Sequence, residues 1–253
     1  MPFQEEWEYA IVVGMLMFLV NTRLDIQFTV HHCARFTHSP KHSHMLAVKR
    51  VIRYLKHTQE DGKDRGLTFE IGGNEIPKIE CYVDADFAGL WNVENNEDPV
   101  SSKSRTGFVI FVGNCPVIWQ SKLQGETALS TTEAEIVALS MSMRELLWLR
   151  RMVVDVATTL GSGIQDPIEF KCKVFEDNAA ALILAKKPGV SNRTKYIHVK
   201  HWFFKEHIGD GSGISLLKIG TEDQIADIFT KGVIEKLFVP LRNKLMGWDP
   251  QEK

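Results

Sequence analysis

Tyr82-Val83-Asp84-Ala85-Asp86-Phe87-Ala88-Gly89 is the stretch on which the reading of this chain turns. An apolar strand runs through Tyr82 and Val83 straight into two carboxylates at alternate positions. Successive strand side chains point to opposite faces, so Asp84 and Asp86 share one face at the strand's end. Carboxylates placed this way, facing others delivered from elsewhere, are how a hard divalent cation is usually held. An isolated Asp-x-Asp, however, is more often a turn cap beside a solvated acid. The surrounding chain has to choose between the two.

Outward from this stretch the pattern is that of an antiparallel meander. Ile79 to Asp84 reads as one strand, Thr106 to Val112 (TGFVIFV) as a second, and Val117 to Lys122 (VIWQSK) as a third. Gly113-Asn114 supplies a short turn between the last two. The 92–105 connection is polar and reads as a loop. A long helix is predicted from about Thr131 to Val156, with Ile136, Leu139, Met143 and Leu146 as its apolar stripe. Ser130-x-x-Glu133 and Thr132-x-x-Glu135 both have the form of a capping box at its start, which offers Glu135 a structural role.

Beyond a loop through Gly161, Gly163 and Pro167, Ile168 to Phe175 alternates as a strand, with Ile168, Phe170, Cys172 and Val174 on one face. Asp177 follows at its end, either as a ligand or as the N-cap of a helix from Ala179 to Lys186. An aromatic, basic helix (Thr194 to Ile208), a strand (Ile214 to Ile219) and a helix capped by Thr221 and bearing Asp227 complete the order. Strands and helices in this sequence predict an α/β layer, with helices on both faces of a mixed sheet.

Residues 1–70 read differently. Val48, Val51, Ile52 and Leu55 form an amphipathic stripe, with Lys49, Arg50, Arg53 and Lys56 on the other side. That basic face can follow a phosphate backbone or simply be solvated. The apolar run from Ala10 to Val20 has 11 residues, too few to cross a bilayer, and follows acids where a secretory signal has bases. It reads as a buried helix. His31, His32, His38, His42 and His44 have no metal-ligand spacing. A strand and Gly-Gly-Asn turn at 67–75 mark a boundary.

Composition bounds the function classes. With 44% hydrophobic and 25% charged residues the chain is a soluble globular protein, long enough for one and a half or two domains. Its net charge of -2 excludes a simple polycationic binder, but the charge is segregated. Residues 74–100 hold seven acids against Lys78, whereas residues 186–205 hold six bases and no acid. An acidic metal pocket beside a basic, phosphate-binding face segregates charge in this way. Cys33, Cys81, Cys115 and Cys172 stand singly, as free thiols in a reducing compartment.

Four acids now stand at or near element ends: Asp84, Glu135, Asp177 and Asp227. Each alone has a structural explanation. Together they are what two-metal phosphodiester chemistry needs, because two divalent ions about 4 Å apart require several anionic oxygens from different elements. No Ser/His/Asp or Cys/His set is legible, and the glycines make no phosphate loop.

At this point the residues resemble a family. YVDADFAG, WQSKLQGETALSTTEAEIVALS, VFEDNAAALILAK, SNRTKYIHVKHWFFKEHI and TEDQIADIFTKG are similar, in order, to the ribonuclease H domain of copia-type retrotransposon polyproteins. TRLDIQFTVHHCARFTHSP and LAVKRVIRYLKHTQEDG resemble the end of the reverse transcriptase that precedes it. The likeness covers roughly residues 8–233. It implies a ribonuclease H-like mixed five-stranded sheet at 76–233, a helical thumb- or connection-like remnant of the reverse transcriptase at 1–75, and a C-terminal tail at 234–253.

It also implies endonucleolytic cleavage of the RNA strand of an RNA/DNA hybrid with two Mg²⁺ ions, for which Mn²⁺ substitutes. The family's catalytic and metal-binding acids map onto Asp84, Glu135, Asp177 and Asp227, while Glu133 and Asp86 match neighbouring acids. The separations of 51, 42 and 50 residues do not suit an integrase-type D,D,E set, whose last two acids lie closer. Lys122, Arg193, Lys195 and Lys200 are the candidates for nucleic-acid backbone contacts, and Trp202 is expected in the core. The expected partners are the hybrid and the upstream reverse transcriptase domain, with no membrane, in an intracellular setting (cytoplasm, virus-like particle or nucleus).

Departures from the family pattern are Tyr196 and His198, where it commonly has His and Asp, and Ile136, where it has Tyr. YVDAD is not a polymerase YxDD. The polymerase carboxylates are expected upstream, so DNA synthesis by this chain is not. The alternative is a non-catalytic module that binds hybrid or polymerase.

Overall fold

The computed structural model describes residues 8–60, 63–69, 78–91, 99–161, 170–189, 196–209 and 211–248. The 67–75 turn, the first half of the 92–105 loop, residues 162–169, Arg193 and Lys195 fall wholly or partly outside them. The chain divides into two compact units, Met1–Phe69 with Ile234–Lys253, and Glu70–Val233.

The first unit is mainly helical: α1 Tyr9–Leu19, α2 Gln27–Ala34, α3 His42–His57, a short ribbon of β1 Gln59–Glu60 and β2 Lys63–Asp64, and α7 Glu235–Met246. Val13, Leu16, Ile26, Val30, Met45, Val48 and Val51 form its core. Two expectations are corrected here. The Ala10–Val20 run is not a buried helix, because only one face of α1 is covered and Ile11, Met15 and Phe18 face solvent. The buried stripe of α3 runs through Met45, Val48 and Val51, which leaves Ile52 at its exposed edge. The last segment, set apart above as a tail, carries α7 and ends on buried Trp248, whose indole N–H donates to the Gly66 carbonyl at 2.7 Å. Arg23, Arg65 and Arg242 lie over that ring.

The second unit is the ribonuclease H-like sheet with its helices. Its strands are β3 Ile79–Asp86, β4 Arg105–Val112, β5 Cys115–Leu123, β6 Cys172–Glu176 and β7 Ile214–Lys218, in the order β5-β4-β3-β6-β7. β5, β4 and β3 are antiparallel, and β3, β6 and β7 are parallel. α4 Thr131–Thr159 lies on one face, where Ile136, Leu139, Met143 and Leu146 meet Cys81, Val83, Phe108 and Ile110. Each such buried side chain stabilises the fold by about 1.5–3 kcal/mol. Ser130 caps α4 by accepting from the Glu133 N–H at 3.1 Å, and Glu133 accepts from Leu129 N. The first capping box is therefore made by half, because Glu133 reaches the N–H before the cap and not that of Ser130 itself. The second is not made, since the Glu135 side chain turns inward.

α5 Ala179–Lys186 begins as expected, but Asn178 is its cap, accepting from Ala181 N at 3.0 Å. Asp177 is therefore not spent on a helix end. The basic helix is, within the described residues, a 3-10 helix over Val199–His207. The helix expected from Thr221 is broken in two, a 3-10 turn Thr221–Asp223 and the short α6 Asp227–Thr230. Thr221 does not cap it, because its hydroxyl donates to Asp177 instead.

Candidate metal centre

The site lies where the parallel strands β3 and β6 end side by side. Their last paired residues are Tyr82 and Phe175. Asp84 lies two residues further along β3, and Asp177 is the first residue beyond the end of β6. The crevice beyond the carboxyl ends of such strands is where open α/β sheets bind ligands. α4 brings Glu135 over the same edge. Asp84, Glu135 and Asp177 each offer a carboxylate oxygen, and these oxygens all lie within 4.8 Å of one another.

The supports are buried polar contacts. Gln124 donates to the Thr106 hydroxyl at 3.0 Å and to the Ala134 carbonyl at 2.9 Å, fixing the first turn of α4 beside Glu135. Gln224 donates to the Val83 carbonyl at 2.9 Å, tying the approach to α6 to the residue before Asp84. Thr221 donates to Asp177 at 3.2 Å. On α6, the Thr230 hydroxyl donates to Asp84. α6 comes this close because β4 has Gly107 beneath it, where a Cβ would lie 2.6 Å from Thr230 Cγ2.

Asp227 is buried on α6 but stands outside the trio, held by a lysine. Lys231 Nζ lies 2.9 Å from Asp227 Oδ1 and 3.6 Å from Asp84 Oδ2. Burial acts to lower the Lys231 ammonium, but the Asp84 and Asp227 carboxylates outweigh it and raise it. Asp86 stays on the Asp84 face, opposite Arg105, and is only half-buried. Its carboxyl packs over the turn against Gly89, so a side chain there would require the carboxylate to move aside. The pair that opened the reading thus divides, with Asp84 in the cluster and Asp86 at the turn.

Electrostatically the site is poised for a cation. Burial, then Glu176, Asp84 and Asp177, push the Glu135 carboxyl well above its ordinary range. Burial raises Asp84 as well, against the opposing pull of Lys231 and Thr230. Asp227 is pushed up to about 7, by burial first and Asp84 second. Glu135 Oε2 is buried with no hydrogen-bond partner. Converging acids and an orphaned buried oxygen fit a hard divalent ion.

Sequence reasoning missed Glu176, Lys231, Thr230 and Gln224. Glu176 had a signal, since it continues the inward parity of Cys172 and Val174, and it is fully buried with its pKa raised well above normal by burial. Lys231 had one too, four residues after Asp227. Of the proposed backbone contacts, Lys122 is exposed on β5. Lys200 is exposed but ion-paired with Glu126 at 2.6 Å. Trp202 is buried as expected. The three departures from the family pattern have local roles: His198 caps the 3-10 helix by accepting from Lys200 N, the Tyr196 hydroxyl lies 3.3 Å from that of Ser130, and Ile136 is buried in the core. Among the described residues no histidine joins a metal-compatible group, and no helix is long and apolar enough to cross a membrane.

The strand order, register and acid trio define a ribonuclease H-like domain. No family model matches the chain. It is similar to the Retrovirus-related Pol polyprotein from transposon TNT 1-94 of Nicotiana tabacum, with 36% identity over 240 residues, which are 94% of this chain and 16% of that polyprotein. It is also similar to the Retrovirus-related Pol polyprotein from transposon RE1 of Arabidopsis thaliana, with 31% identity over 238 residues, 94% of this chain and 15% of that one. The chain is thus similar over nearly its whole length to these Pol polyproteins, and it spans about a sixth of theirs. Among solved structures it is similar to LC11-RNase H1, isolated from compost, with 16% identity over 60% of this chain and 92% of that one, at a TM-score of 0.39. The fold rests on the strand order, not on that score.

Proposed function

We propose that this chain is the ribonuclease H segment of a retrotransposon polyprotein and hydrolyses the RNA strand of RNA/DNA hybrids endonucleolytically. The observation that carries the reading is the trio Asp84, Glu135 and Asp177, with carboxylate oxygens within 4.8 Å of one another beside the orphaned Glu135 Oε2. Asp227 completes a four-acid set around the strand ends. Two Mg²⁺ ions, or Mn²⁺ in their place, would activate a water and stabilise the charge on the leaving 3′ oxygen when held there.

The chain's own residues do the positioning. β3 and β6 fix Asp84 and Asp177 on a rigid edge, and Gln124 fixes the turn that carries Glu135. Lys122 and Lys200, with Arg193 and Lys195, would follow the hybrid's phosphates, and contacts to the 2′-OH would tell RNA from DNA. On this reading residues 1–75 are the end of a reverse transcriptase, and the work is intracellular.

The test is cleavage of a labelled RNA/DNA hybrid by the full chain. Mg²⁺-dependent shortening of the RNA strand alone, lost in Asp84→Asn while circular dichroism is unchanged, is the expected result. Cleavage that persists in excess EDTA overturns it. Hybrid binding without product over hours, with Mg²⁺ or Mn²⁺ present, leaves a non-catalytic binding module in its place.

A further inference from the structure

The four acids are not equally available to a cation. Glu135 Oε2 is buried and unpartnered, and the Glu135 carboxylate offers an oxygen to the cluster with Asp84 and Asp177. Asp227 is already engaged, since Lys231 Nζ sits 2.9 Å from its Oδ1 and 3.6 Å from Asp84 Oδ2. Both contacts are delivered by one rigid turn. α6 is pinned by the Ser121 hydroxyl on the Phe229 carbonyl at 2.5 Å and by the close approach at Gly107. Thr230 and Lys231, consecutive in sequence, both reach Asp84 from that turn. The Lys231 side chain is 38% exposed, so its head has a route to solvent that the buried Asp84 and Asp227 beside it lack.

From this geometry, and resting on the ribonuclease reading above, we propose that Lys231 is a resident counter-cation that makes the two ion positions unequal. A divalent ion among Asp84, Glu135 and Asp177 enters with the lysine in place. An ion that shares Asp84 with Asp227 has to displace the ammonium first, because two cations cannot occupy the same few ångströms between two carboxylates. Lys231 is thus a positioning residue. It holds Asp227 in the metal-free protein and sets the concentration at which the second ion binds. The ammonium returns to the carboxylates whenever that ion leaves, so the closely packed acids are never left without a positive charge.

The test counts bound Mn²⁺ on the full chain by electron paramagnetic resonance and calorimetry, without nucleic acid and independently of cleavage. The wild-type protein is expected to bind one ion tightly and a second more weakly. In Lys231→Met the second ion should bind on the order of tenfold more tightly, as expected when a partly buried competing charge is removed. Lys231→Arg should keep the inequality. Asp227→Asn should remove the weaker step and Glu135→Gln the tighter one, which assigns the two steps, and Lys231→Gln repeats the loss of charge should Lys231→Met not fold. Two equal ions in the wild type, or a Lys231→Met titration superimposable on it, overturns the role of Lys231 alone. No bound Mn²⁺ in any variant overturns the ribonuclease reading, and this proposal with it.

Discussion

Gly107 on β4 lies so close under Thr230 of α6 that a Cβ on the glycine would stand 2.6 Å from the threonine's Cγ2 and 2.8 Å from Phe229 Cβ. Gly107 is also the residue paired with Asp84 across the sheet. A single small residue therefore sets how near α6, and with it Asp227, Thr230 and Lys231, comes to the central acid. Gly107→Ala must push the helix back. We expect an overpacking cost of about 1–3 kcal/mol in urea unfolding, together with a loss of hybrid cleavage out of proportion to that cost. A variant with wild-type turnover would mean that α6 is not needed at this distance.

The pH dependence of stability follows from the raised carboxyls. Asp227 is pushed up to about 7 from an ordinary 3.8, and Asp84, Glu135 and Glu176 are raised with it. A folded-state value above the unfolded one means the folded state binds protons more tightly. The resulting stabilisation is complete below the unfolded value and is lost as pH rises through the folded one. Metal-free protein should therefore melt at a higher temperature at pH 5 than at pH 8. Added Mg²⁺ should flatten the curve by stabilising the ionised acids at the high end. A metal-free melting temperature that climbs between pH 5 and pH 8 would contradict the electrostatics described above.

Much of this was legible in the sequence, for reasons that differ by residue. Strands and α4 could be read because alternation and the Ile136-Leu139-Met143-Leu146 spacing report directly on burial. Asp177 could be placed because β6 ends just before it, and Asp84 because it lies near the end of β3, which runs two residues further than expected. The exposure of Ile11, Met15 and Phe18 could not, because an apolar run does not say which of its faces will find a partner. The break between Thr221 and Asp227 was hidden as well, since it depends on Gln224 reaching the Val83 carbonyl, a contact 141 residues apart in the chain. Lys231 was overlooked because a basic residue after an acid on a helix reads first as a local ion pair, and the tertiary contact to Asp84 appears only in the fold.

Glu176 and Asp177 are adjacent, yet they should behave oppositely. Asp177 offers an oxygen to the trio, whereas Glu176 points into the core of the site and accepts from the Asn178 N–H at 3.0 Å. Asp177→Asn should reduce cleavage by about a hundredfold or more, through lost metal affinity, with little change in the metal-free fold. Glu176→Gln keeps the acceptor oxygen and removes a buried charge, so it should raise metal-free stability at pH 8 while cleavage stays within roughly tenfold. Parallel melting curves and single-turnover assays on the two variants separate them. Equal loss of activity in both would place Glu176 among the ligands.

Asp84 and Asp86 offer the sharpest contrast, because the sequence presents them as equals. Asp84 is buried between the Thr230 hydroxyl and Lys231 and takes part in the acid trio. Asp86 lies opposite Arg105 and against Gly89, half-buried, with its carboxyl raised by burial and by the Asp84 charge. Asp84→Asn leaves the shape but weakens the one oxygen donor that every other acid faces, so a loss on the order of a thousandfold is expected. Asp86→Asn removes a like charge two residues away and should lower cleavage by less than about tenfold. It should also let Asp84 ionise at a lower pH, which would show as a shift of the acid limb of the cleavage–pH profile toward lower pH. If Asp86→Asn proves as inactive as Asp84→Asn, the turn acid belongs to the metal centre, and the division of the pair drawn from the geometry is wrong.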